Sequence, residues 1–179
     1  MFRNPKPNQW KIIDKEVVDE IIFKTPKPRN RLLLELMARG GMRIGEVLKI
    51  RPVDIEDQKI IIKNPKSGRP SEVIFIPLKL MERVKGYIRE EGIEPEKRIF
   101  PITYACARIL VKNAGAIVGI DLKPHDLRRL AATYASRSGV PIEIISKIIL
   151  RHASLAITQR YLGKVSDAEA VKWIENLYG

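Results

Sequence analysis

The sequence predicts an α+β domain that is mainly helical and carries one small antiparallel sheet. Two observations lead there. Across most of the 179 residues, apolar side chains recur at helical spacing, i, i+3, i+4 and i+7. Residues 53–76 break that pattern with three β-branched runs, Val53–Ile55, Lys59–Lys63 and Glu72–Ile76, separated by turn residues, which read as a meander. The length suits one domain, or one domain with a tail, and 45% hydrophobic residues suffice for a single core.

Taken in order, residues 1–12 are rich in Pro and Lys and read as an extended lead-in. Asp14 stands where it caps a helix over 15–23, with Val17, Ile21 and Ile22 turned inward. The connector Thr25-Pro-Lys-Pro-Arg-Asn is basic. Lys24, Lys27, Arg29 and Arg31 are expected to face phosphate, the plainer alternative being a solvated loop. Leu33, Leu36 and Met37 form the inward face of the next helix, which stops at Gly40-Gly41. Another helix starts within Met42–Leu48, with Ile44, Val47 and Leu48 inward. In the sheet, Asp57-Gln58 makes the first turn. The second is the longer loop Asn64–Ser71, where Lys66 and Arg69 sit beside Gly68 and two prolines. Leu80, Val84, Tyr87 and Ile88 predict a helix ending at Gly92, and another covers Pro101–Val118. Pro124 then opens a helix whose buried stripe is Leu127, Leu130, Ala131 and Tyr134. After Val140-Pro141 comes a helix with Ile142, Ile145, Ile148 and Ile149, apolar enough to be core. Arg151-His152-Ala153 is a tight break, and Ser154 caps a short helix with Thr158 and Tyr161. Ser166-Asp-Ala-Glu169 forms a capping box for a last helix with Ala170, Trp173, Ile174 and Leu177 on one face.

Charge narrows the function classes. With 33 Lys plus Arg against 21 Asp plus Glu, the net charge is +12 and the pI about 9.9, in the range of nucleic-acid-binding domains. No apolar run approaches a membrane span, no long basic amphipathic helix lines aromatics on one face, and the first residues lack a signal-peptide core. These features predict a cytoplasmic protein. One cysteine excludes a disulfide framework and a Cys-based zinc site; Cys106, among Tyr104, Ala105, Ile109 and Leu110, reads as packing. Two histidines argue against a His-rich metal site, so no metal or other cofactor is expected.

The candidates for chemistry are Arg43, Lys66, His125, Arg128, His152 and Tyr161. His125 and Arg128 lie three apart and share a helix face, an anion site with a titratable neighbour. Arg43 stands at a helix start, where free N–H groups and the dipole gather anions, and Glu46 one turn on is placed to hold its guanidinium. Singly, each has a bland reading: a surface histidine, an i,i+3 ion pair, a soluble turn, a core tyrosine. Together they are the parts for attack on a phosphodiester without metal. Two arginines clamp the nonbridging oxygens, an imidazole moves a proton, a lysine protonates a departing oxygen, and a tyrosine attacks and holds the phosphate as an ester.

The set resembles the catalytic domain of tyrosine recombinases, the phage-integrase and Xer-like family. Gly41–Val47 is similar to the first-arginine box, which makes Arg43 a phosphate ligand supported by Glu46. Lys66 in the loop between the second and third strands matches the lysine that protonates the 5′-hydroxyl leaving group. Pro124–Arg129 matches the His-x-x-Arg box, Leu150–Ser154 the third box, and Thr158–Tyr161 the nucleophile box. The resemblance therefore implies proton transfer by His125, phosphate binding by Arg128 and His152, and attack by Tyr161. It implies the DNA breaking-rejoining fold with its three-stranded sheet at one edge, double-stranded DNA as partner, a tetrameric synapse of like protomers, and a nucleoid-associated location. Where the family often has Gly, this chain has Arg151, read as an extra phosphate contact; Arg69 and Arg129 join the expected DNA contacts. The resemblance divides the chain into a lead-in (1–12), a catalytic domain (13–163) and a tail helix (164–179). That tail is expected to dock either on a neighbouring protomer or back on its own domain, and no segment matches the family's N-terminal DNA-binding domain. A non-catalytic DNA-binding module and a type IB topoisomerase-like relaxing enzyme are the alternative readings.

Overall fold

The structure, a computed structural model, describes residues 12–65, 70–162, 171 and 174–176. Its centre is helix α2 (Pro28–Gly40), which follows α1 (Lys15–Lys24). Pro28 presets φ for the first turn. Leu32, Leu33, Leu34, Leu36 and Met37 are all buried, so α2 is apolar almost all round, as a helix enclosed by others must be. It ends at Gly41, whose φ of 59° places it in the left-handed region. A single turn, α3 (Ile44–Val47), and a 3-10 turn (Pro52–Asp54) lead into the sheet.

The sheet is a meander in the order β1 (Ile55–Glu56), β2 (Lys59–Lys63), β3 (Ser71–Phe75), with Ile60 opposite Ile74 and Ile62 opposite Glu72. The first run of the meander was expected at 53–55; the chain instead turns at 52–54 and pairs only at 55–56. Strand alternation puts Ile60, Ile62, Ile74 and also Glu72 on the buried face. Helix α4 (Leu78–Glu90) buries Leu80, Met81 and Val84, and α5 (Tyr104–Ala116) buries Ala107, Val111 and Ala114. Thr103 caps α5 by accepting from the N–H of Cys106 at 3.2 Å.

Helix α6 (Pro124–Arg137) packs along α2 and bridges two apolar clusters. Leu127 and Leu130 enter the main core; Ala132 and Ala135 meet Ile145 and Leu150 in a smaller cluster that Leu162 completes. Serving both rotates the contact face, which leaves Tyr134 51% exposed, not in the stripe where spacing put it. The isoleucine-rich segment also departs from expectation. A turn of α-helix, α7 (Ile142–Ile144), passes into a π-helical turn at Ile145–Ile149. The wider turn changes the side-chain period, so Ile145 is buried while Ile148 is exposed and Ile142 and Ile149 only partly covered. Cys106 is a free, exposed thiol, not a packing residue, because α5 turns its Ala107–Val111–Ala114 side inward. Helix α8 (Leu155–Leu162) begins directly after Ser154. In the tail, Val171 and Ile174–Asn176 are helical, and Val171 and Ile174 are exposed. The lead-in through residue 11, Gly163, the Ser166–Glu169 capping box, Ala170, Trp173 and Leu177 lie outside the described residues. Among the described residues, no helix is long and apolar enough to cross a membrane.

Candidate functional site

Four chain segments meet at one end of α2. The start of α3 brings Arg43, the first turns of α6 bring His125 and Arg128, the exit of the π turn brings Arg151 and His152, and α8 carries Tyr161. Arg43, His125 and Arg128 line a cleft of about 200 Å³ together with Lys49, Asn64, Pro65 and Tyr104. Those last four were not singled out from sequence. A lysine after an apolar turn and a tyrosine opening a helix carry no spacing signal; only the fold turns them toward the arginines.

Arg43 is the N-cap of α3, and Glu46 closes the cap from below. Glu46 Oε2 accepts from the Arg43 backbone N–H at 2.7 Å, and Oε1 from Arg43 Nη1 at 2.6 Å. Both Glu46 carboxylate oxygens thus contact Arg43. Glu46 has a second cation, since its Oε2 also accepts from Arg151 Nη2 at 2.7 Å. Burial pushes the Glu46 carboxyl up, but Arg151 and Arg43 outweigh it and hold the group below its ordinary range.

Arg128 is buried and stitches two loops together. Its Nη1 donates to the carbonyl of Gly41 and its Nη2 to the carbonyl of Leu150. The guanidinium thereby locks the turn before Arg43 to the turn before His152. Gly41 is required there, because a Cβ would lie 2.9 Å from the carbonyl oxygen of Ile149. His125 stands exposed on the cleft rim. Partial desolvation, followed by the charges of Arg128 and Arg129, lowers its pKa from the ordinary value. His152 is more perturbed: desolvation, then Arg128, Arg43 and Arg151, lower it to about 4. Its backbone N–H donates to Ser146 across the π turn at 2.9 Å, and its Nδ1 lies 3.0 Å from Oγ1 of Thr158. Thr158 is buried on α8, so the imidazole is oriented by the same helix that bears Tyr161. Both imidazoles are neutral at pH 7, able to give or take a proton without adding charge to an already cationic cleft.

Two cations expected on the surface are inside. Arg129, read as a DNA contact, is buried, with its Nη1 3.4 Å from Asp126, because α6 is covered on that side. Arg151, read as a phosphate contact, has a side chain only 3% exposed, bonded to Glu46 and lying 3.4 Å from Glu72. Arg151 also has φ 50°, a left-handed conformation that costs a non-glycine residue roughly 1–2 kcal/mol. Of the basic connector, Lys27 is exposed at the head of α2. Arg29 and Arg31 are two positions apart, roughly 200° around the helix. They open onto different hollows, one beside α5 and the other between α1 and α4, so they do not form one patch. Lys66, Arg69 and the side chain of Tyr161 lie outside the described part of the structure. Among the described residues, no group of three or more His, Cys, Asp or Glu could hold a metal ion.

The profile of the phage integrase family matches residues 11–167. The chain is 32% identical over 200 residues to tyrosine recombinase XerA of Pyrococcus furiosus, covering 99% of this chain and 68% of that one. It is 27% identical over 159 residues to XerA of Saccharolobus solfataricus, covering 88% of this chain and 53% of that one. The chain thus spans between about half and two thirds of the length of these relatives. In fold it is similar to a crystal structure of XerA recombinase, with a TM-score of 0.79 at 18% identity, covering 100% of this chain and 67% of that one. It is also similar to XerH site-specific recombinase in a post-cleavage complex with its palindromic difH substrate, with a TM-score of 0.74 at 24% identity, covering 92% of this chain and 52% of that one.

Proposed function

Because the chain belongs to the phage integrase family, we propose that it is the catalytic part of a tyrosine recombinase that cleaves and rejoins double-stranded DNA through Tyr161. The Tyr161 hydroxyl attacks the scissile phosphorus and gives up its proton to His125, the bond to the 5′ oxygen breaks, and the 3′ phosphate stays on the protein as a tyrosyl ester. The released 5′ oxygen takes up a proton, the role given to Lys66. Religation reverses the step on a partner duplex, so the bond energy is kept and no nucleotide is consumed. Arg43 and Arg128 neutralise the nonbridging oxygens as the phosphorus becomes five-coordinate, and a positioned donor of this kind is worth roughly 3 kcal/mol. His125 and His152, both neutral at pH 7, supply proton transfer and a hydrogen bond to the phosphate.

The observation that carries this reading is that His125, Arg43 and Arg128 line one cleft while His152 is tied through Thr158 to the helix bearing Tyr161. The same reading has the domain, residues 13–163, working on DNA at the nucleoid as a tetrameric synapse. Its tail helix docks on a neighbour or on its own domain, and the exposure of Val171 and Ile174 leaves apolar surface for such docking. The test is a denaturing gel after incubation with a pool of nicked duplexes of randomised sequence, from which a short cleaved end diffuses away. The wild type should form a covalent adduct, and Tyr161→Phe should bind DNA without forming one. Binding with no wild-type adduct would leave a DNA-binding module; an adduct in Tyr161→Phe would require another nucleophile.

A further inference from the structure

Arg151 and Glu72, to which the cleavage chemistry gives no role, sit at the end of a line of alternating charge. Arg43 pairs with Glu46, Glu46 with Arg151, and Arg151 Nε lies 3.4 Å from Glu72 Oε2. Arg151 also donates from Nη1 to the carbonyl of Ile149 at 2.8 Å. Glu72 occupies a core-facing position of β3, opposite Ile62 and on the same face as Ile74. Its side chain is 3% exposed, and neither carboxylate oxygen accepts a hydrogen bond among the described residues. A buried carboxylate on the apolar face of a strand is costly unless a cation faces it. Among the described residues, Arg151 is the cation within ion-pair distance of it.

The line has two guanidiniums and two carboxylates, so its charges cancel. Without Glu72, one carboxylate would serve two arginines, and uncompensated positive charge would lie one residue from His152. The line also joins three segments far apart in sequence: the start of α3, the residue before His152, and the strand that leaves the loop containing Lys66. It holds Arg151 in a backbone conformation that glycine would adopt freely, so the side chain must be placed by its partners.

We propose that Glu72 is a positioning residue: through Arg151 it ties β3 to the turn that presents His152 and to the Glu46–Arg43 pair. What it positions rests on the cleavage reading above; the tie itself does not. Two measurements therefore test it. The chain has two histidines, so imidazole NMR of the free protein, with His125→Gln for assignment, resolves His152 alone. Glu72→Gln, which keeps shape and removes charge, should displace the His152 ring signals and leave those of His125 in place. In single-turnover cleavage, Glu72→Gln should slow adduct formation at least tenfold with DNA affinity unchanged. Glu72→Asp, which restores the charge at longer reach, should recover part of the rate. Val84→Ala, a fully buried site on α4, serves as the control for general destabilisation and should cleave at the wild-type rate. Unmoved His152 signals in Glu72→Gln overturn the proposal, as does a wild-type cleavage rate in a protein that otherwise forms adducts. If Glu72→Gln does not fold, Glu72→Asp and Arg151→Lys carry the same two readouts. A wild type that forms no adduct overturns the cleavage reading, and the His152 signals then decide the tie by themselves.

Discussion

Glu46→Gln isolates one carboxylate that holds two arginines. Glutamine keeps the shape but offers one acceptor oxygen where Glu46 uses two. Oε2 accepts twice, from the Arg43 backbone N–H and from Arg151 Nη2, both at 2.7 Å, whereas Oε1 accepts once, from Arg43 Nη1 at 2.6 Å. The amide therefore settles with its oxygen in the Oε2 place, and its NH2 then faces Arg43. One charge-assisted bond is lost and two weaken to ordinary strength. At about 1 kcal/mol for each change the cost is roughly 2–3 kcal/mol. That is below the roughly 3–5 kcal/mol for stranding a buried charge, because Glu72 still faces Arg151. For a chain of this size the melting temperature should fall by roughly 4–12 °C. The sign with pH follows from the Glu46 carboxyl being held below its ordinary value of 4.5. Its stabilisation is complete above the unfolded pKa and is lost as pH falls through the lower folded one. Thermal melts by circular dichroism from pH 7 to pH 3 should show the gap between wild type and variant closing in acid. A gap absent at pH 7, or one equally wide at pH 3, would refute the assignment of Glu46 as the ionised centre of the network.

Three further outcomes follow from the same geometry. Because His152 has a folded pKa of about 4 against 6.5 unfolded, urea unfolding should show stability falling as pH drops from 6.5 to 4, and His152→Asn should lack that loss. Gly41→Ala forces a side chain into φ 59° with its Cβ 2.9 Å from a carbonyl, so it should cost about 2 kcal/mol or more in a urea titration. Arg43→Ala should slow single-turnover adduct formation by roughly a hundredfold, on the scale of removing one oxyanion donor, with a melting temperature that falls no further than that of Glu46→Gln.

The parts of the fold visible in sequence were those set by local periodicity. Leu33, Leu36 and Met37 on α2, Leu80 and Val84 on α4, and the alternation across β2 and β3 each need only their own segment to define an inward face, because helix and strand fix which residues share a side. The boundaries at Gly41 and the turn at Asp57-Gln58 were visible for the same reason: backbone preference is local. Tyr134 and the Ile142–Ile149 segment were not, since their exposure depends on α6 serving two clusters and on a π turn whose stability comes from packing.

The candidate site divides in the same way. Residue type and helix-face spacing drew attention to Arg43, Glu46, His125 and Arg128, and the resemblance to the recombinase boxes supplied the roles expected of them and of His152. Which arginine faces solvent and which is interior could not be seen that way. Arg128, Arg129 and Arg151 are chemically the same group, and a charged side chain is buried only where a partner meets it. For Arg151 the partners are Glu46, 105 residues away, and Glu72 on the buried face of β3. Sequence alone thus nominated the groups that the proposed phosphodiester chemistry would use. Tertiary structure decided which of its cations face the cleft and which hold it in shape, because ion pairing acts through space and leaves no period in the chain.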